Sequence, residues 1–130
     1  MKYYLLLIVF FGIKSFSQSK TTAEKDIFTM YNKTQVELKT VYQKIQTEYK
    51  ADTLFIKKLQ KAQQSWHTYK DAELEARFPE KDKTSTYGSQ YKVCKTLFLT
   101  ELMQGRIKRL RVWLNGIEEG DTCSGSVKFK

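Results

Sequence analysis

An all-α fold is predicted: an antiparallel three-helix domain with a disulfide-tethered C-terminal tail, following a cleaved signal peptide. Three observations predict it. Apolar residues recur at helical spacing in three stretches; the chain of 130 residues has one proline and six glycines; and a short apolar leader precedes a polar part that holds both cysteines. At this length one domain is expected, and with 41% hydrophobic and 14% aromatic residues it has the material for a packed core.

The leader comes first. Lys2 supplies a positive start, Tyr3 to Ile13 is apolar except for Gly12, and Ser15-Phe16-Ser17 offers small residues at the −3 and −1 positions of a peptidase site. The run is too short to cross a bilayer. Cleavage is expected after Ser17, or after Gln18, giving a signal peptide over 1–17 and a helical domain over 18–130. The alternative is a buried N-terminal helix. No cysteine stands near the cut, so no lipid anchor is expected. Losing Lys2 and Lys14 lowers the basic count from 23 to 21 against 14 acids, and the net charge from +9 to +7. Export places the product in the periplasm or outside the cell. Two cysteines in an oxidising compartment read as one disulfide, Cys94–Cys123, the alternatives being two free buried thiols or an intermolecular bridge. A loop of that span stabilises by about 3.5 kcal/mol in the chain-entropy model.

The first helix is predicted over about Thr22–Lys50, with the stripe Ile27, Tyr31, Thr34, Leu38, Val41, Ile45 and Tyr49. The second begins at Asp52 as N-cap and carries Phe55, Leu59, Ala62, Trp66 and Tyr69. Pro79 ends it near Phe78. A polar loop follows over Pro79–Gly88. The third helix runs from about Ser89 to Leu114 on Leu99, Met103, Arg106, Leu110 and Trp113, with Phe98, Leu102 and Val112 widening the apolar face, and Asn115-Gly116 stops it. The steps are heptad-like, but broad aromatic stripes favour a bundle over a long coiled coil. The disulfide is only just within reach. Cys94 to Asn115 is about 32 Å of helix, against about 28 Å for eight extended residues plus about 5.5 Å across the bridge, so the tail runs along the helix or the helix bends at Gly105.

Chemistry-bearing residues are few. Arg106 falls within an apolar stripe and needs a partner; Glu73, two turns after Trp66, is expected to supply it, with Asp71 second and a snorkelling Arg106 the alternative. His67 is alone and reads as a surface residue. Asp71 and Glu75 share a helix face, but a glycosidase needs carboxylates flanking a cleft, so a solvated patch is the better reading. The runs Lys57, Lys58, Lys61 and Lys108, Arg109, Arg111 read as solvated faces. One histidine and two cysteines do not make a zinc site, no cofactor is implied, and no nucleophile, base and oxyanion donor occur together. A non-enzymatic protein is therefore expected, with no nucleic-acid partner and no transmembrane segment.

Gln63-Gln64-Ser65-Trp66-His67-Thr68-Tyr69-Lys70-Asp71-Ala72-Glu73 resembles the Q-x-x-W-x-x-Y-[RK]-D-A-E helix of the LprI-like lysozyme-inhibitor family. Tyr87-Gly88-Ser89, Cys94, Thr100, Arg106 and Leu110 resemble its G-S…C…T…R…L helix. Tyr31-Asn32 resembles its early L-N-x-x-Y region, and Glu118 to Cys123 an E-G-D-x-C tail found in some members. The resemblance implies a small, exported, helical, disulfide-bonded protein. Trp66, Tyr69, Lys70, Asp71, Glu73 and Arg106 are its family motif. Many members carry a cysteine after D-A-E where this chain has Leu74, which leaves Cys94 to pair with Cys123. The implied activity is lysozyme inhibition. In that reading the 79–88 loop enters the enzyme's cleft, and Lys81, Lys83 and Ser85 donate to its carboxylates. The second reading is an envelope module that binds an anionic glycan or an acidic protein through its basic charge.

Overall fold

The computed structural model describes residues 14–130, with side chains from Lys20 onward. The expected leader, 1–17, lies outside the described residues except for its last turn.

Helix α1 spans Lys14–Glu48, α2 Thr53–Arg77, α3 Lys83–Tyr87 and α4 Tyr91–Asn115. Thus α1 starts earlier than the stripe predicts. No glycine or proline interrupts 14–21, so nothing stops the helix there. Asp52 caps α2, its carboxylate accepting from the Phe55 amide at 2.9 Å. The helix closes at Phe78, just before Pro79, as expected. Gly116 caps α4 with φ 69°. A Cβ there would stand 2.9 Å from the Lys128 carbonyl, so the position requires glycine.

Cross-helix contacts fix the directions. Phe28 of α1 is level with Lys92 of α4, Glu37 with Arg111, and Tyr49 with Trp113, so α1 and α4 run parallel. Phe55 of α2 stacks on Trp113, Gln63 meets Arg106, and Arg77 lies over Phe98, so α2 runs antiparallel to both. The arrangement is up, down, up, with α4 central: it packs extensively along α1 and more lightly against α2. The core is Leu38, Val41, Ile45 and Tyr49 of α1, Phe55 and Leu59 of α2, and Met103, Ile107 and Leu110 of α4. Buried Thr34, Thr96 and Thr100 bond the carbonyl four residues back in their own helices, so no hydroxyl is left unpaired.

Three expectations are corrected. Beyond Leu59 the inner face of α2 shifts by one residue: Gln63 is buried where Ala62 was expected, and Tyr69 is 51% exposed while Lys70 is half-buried. The shift follows from what α2 faces, because an arginine stands opposite and a glutamine can satisfy it. The 79–88 stretch is not all loop. It contains α3, capped by Asp82, whose carboxylate accepts from the Ser85 amide at 3.0 Å. And no disulfide forms: Cys94 and Cys123 are both free and exposed. Cys94 lies in the first turn of α4, and α4 continues unbroken through Gly105 for about 32 Å before the tail begins. The tail does not return along it. Ile117 pairs with Phe129 in a parallel bridge, closed by the Ile117 amide on the Lys128 carbonyl and the Lys130 amide on the Ile117 carbonyl, each 3.1 Å. The Tyr49 hydroxyl donates to the Trp113 carbonyl at 3.0 Å and accepts from the Lys128 amide at 3.1 Å. These bonds hold the tail at the far end of α4.

Candidate functional site

The family-motif helix presents two faces. Trp66 is half-buried against the core, with its ring edge-on to His67 at 5.1 Å. Tyr69 and Asp71 face solvent. Lys70 donates to Asp71 at 2.6 Å, and that bond, with the charge behind it, holds the Asp71 carboxyl below its usual range; His67 adds to the lowering and slight burial opposes it. Glu73 is half-buried and does not meet Arg106.

Arg106 instead donates through Nε to Gln63 Oε1 at 3.0 Å, so the expected Glu73 or Asp71 pairing is replaced by a neutral acceptor. A carboxylate at this depth would itself have to lose its water, whereas an amide loses less on burial. Burial lowers the Arg106 pKa; the Tyr42 phenol opposes this and Arg109 reinforces it. Burial likewise raises the Tyr42 pKa, against Arg106. One guanidinium nitrogen of Arg106 is buried without a protein partner. Gln63, Arg106 and Tyr42 thus join α2, α4 and α1 where the three helices meet. The periodicity flags Arg106, but nothing local to Gln63 marks it as the acceptor.

The 79–88 turn is braced from within. Phe78 meets Tyr87 and Tyr91 edge-on at 5.2 and 5.1 Å, and Tyr87 stacks on Tyr91 at 6.0 Å. The Tyr87 hydroxyl accepts from the Glu80 amide at 3.1 Å. Gly88, at φ 75°, ends α3 with its amide on the Thr84 carbonyl. Of the three side chains expected to reach a partner, Lys83 is turned inward, bonded to Glu75 at 3.0 Å and to the Phe78 carbonyl. Ser85 sits within α3, exposed. Lys81 is exposed ahead of the Asp82 cap.

Opposite α2, α1 and α4 leave an open groove of about 550 Å³. Val36, Val41 and Leu114 line it, with Lys33, Lys44 and Arg111 along it and Arg111 bridging to Glu37 at 2.6 Å. Among the described residues no three His, Cys, Asp or Glu side chains come together as a metal site, and no helix is long and apolar enough to cross a membrane.

No curated protein and no solved structure matches the chain. A family comparison does. Residues 15–110 match the family described as Lysozyme inhibitor LprI, a span that takes in α1, the motif helix α2, the braced turn and most of α4. With that match covering most of its length, the chain belongs to the LprI lysozyme inhibitor family.

Proposed function

We propose that this protein is an exported, non-enzymatic binding protein that inhibits a lysozyme by inserting the 79–88 turn into its cleft. The observation that carries this reading, beside family membership, is the internal bracing of the turn. An inhibitory loop held in shape before contact loses less conformational entropy on binding. Lys83 serves that bracing, so Lys81 is the exposed donor for the cleft carboxylates and Ser85 a secondary one. Net charge works against approach to a basic lysozyme. On the motif helix Asp71 and Glu75 do not offset it, because both are already paired with lysines. Recognition is therefore local. The chain from Gln18 onward should slow lysozyme clearing of cell walls at near-stoichiometric concentration. Lys81→Glu should weaken this at least about tenfold, while Lys57→Glu on the far part of α2 leaves it unchanged. Undiminished clearing at a large excess of inhibitor would overturn the proposal.

The α1/α4 groove favours a second reading, in which the same protein docks on an anionic envelope polymer or an acidic protein. Its cations are spaced along an apolar floor. Retention on phosphatidylglycerol vesicles or an anionic glycan column should fall steeply with salt, since exposed charges are screened beyond about 8 Å at physiological ionic strength. It should also fall on Lys33→Glu with Lys44→Glu. Salt-insensitive retention, or none, counts against it.

A further inference from the structure

The outer face of α4 has no partner within the fold. Cys94, Leu97, Glu101, Gln104, Gly105, Lys108 and Val112 follow one another along it, and all are exposed. Leu97 is 41% and Val112 39% exposed, the two large apolar side chains of α4 that the fold leaves out. Gly105 adds no bulk, and a Cβ there would meet nothing. Glu101 is the one acid in a helix that otherwise carries Lys92, Lys95, Arg106, Lys108, Arg109 and Arg111. It stands two turns from Lys108 on the same face, too far to pair with it in the same chain.

The order of these residues is self-complementary. When a second α4 is laid antiparallel, with a two-fold axis between Gln104 and Gly105, Leu97 falls opposite the partner's Val112, and Glu101 opposite the partner's Lys108. By symmetry each pair occurs twice. A two-fold contact has to use one patch on both copies, and this patch pairs apolar with apolar and acid with base under that operation. The small residue lies at the crossing, where the two backbones come closest.

We infer that the outer face of α4 is a self-association surface, and that its occupant is a second copy of this chain in antiparallel register. One helix pair makes a small interface, so the dimer is weak and reversible. The net charge, +9 for the full chain and positive also without its leader, repels copies at long range. At 0.15 M salt that repulsion is screened beyond about 8 Å, while the reciprocal pairs act at contact.

Sedimentation equilibrium at 0.15 M salt tests it. For the chain from Gln18 onward, average mass should rise above that of one copy as concentration increases. Glu101→Lys and Lys108→Glu should each weaken association at least about tenfold, and the double swap should restore it, since it exchanges the charges without changing the pairing. Both positions are exposed, so the variants should keep the parent's circular dichroism. A single chain persisting to millimolar concentration overturns the inference, as does a double swap that fails to restore association. Oxidative cross-linking gives an independent check. With both native cysteines changed to serine, Gln104→Cys should cross-link to its counterpart at the axis. Cys94 of the native chain should not, because the two copies of that residue lie about 31 Å apart along the helices. A Cys94 cross-link forming faster than the one from Gln104→Cys would replace this register with another.

Discussion

Arg106 and Gln63 show how one buried charge sets the surroundings of a helix pair. The guanidinium is half-buried, loses water, and recovers one directed hydrogen bond from an uncharged amide. Gln63→Ala removes the acceptor and keeps the charge, so it should cost about 1–3 kcal/mol in urea unfolding. Arg106→Met combined with Gln63→Leu removes both polar groups and should come within about 1 kcal/mol of the parent, because well-packed apolar residues replace buried polar pairs at little cost. A double-mutant cycle between the two positions should therefore show strong coupling. Additive losses would mean that the bond contributes little and that Arg106 is held by packing of its stem.

Helix ends and turns follow local chemistry, and they were the most legible features. Asp52 three residues before Phe55, Pro79 after Phe78, and Asn115-Gly116 each mark a boundary through a cap, a missing donor or a left-handed residue, and the structure keeps all three. Gly116 carries the most consequence. Gly116→Ala meets both an unfavourable φ and the Lys128 carbonyl, and should lower stability by about 1–3 kcal/mol. It should also release the tail to faster amide exchange at Ile117 and Lys130. Exchange unchanged at those amides would show the tail docks without this turn. The helix α3 was less legible. Asp82 can cap and Gly88 can terminate, but five residues are too few for an apolar stripe to appear. The shifted face of α2 was not legible either, because periodicity marks which residues recur and not what stands across from them. Of the candidate site, the sequence located the turn and the motif helix. It did not show that Lys83 is held by Glu75, a contact made only once α2 and α3 fold together.

At the scale of the whole molecule, the tail is held by Tyr49 and by its own pairing, without a covalent tie. Both thiols should therefore react with a water-soluble disulfide reagent in the native protein, and Cys123→Ser should leave the unfolding midpoint unchanged within error. Loss of about 3 kcal/mol in that variant would instead indicate the bond that two exported cysteines suggest. The bundle's layout also sets an order of assembly. The α1 stripe is completed by α4, its parallel neighbour, and the Tyr49–Trp113 bond joins positions 64 residues apart. A chain that emerges amino end first thus presents a half-finished interior until nearly all of it has arrived. The last long helix is the keystone: a fragment that stops before Tyr91 lacks Met103, Ile107 and Leu110, the α4 share of the core around Leu38, Val41 and Ile45.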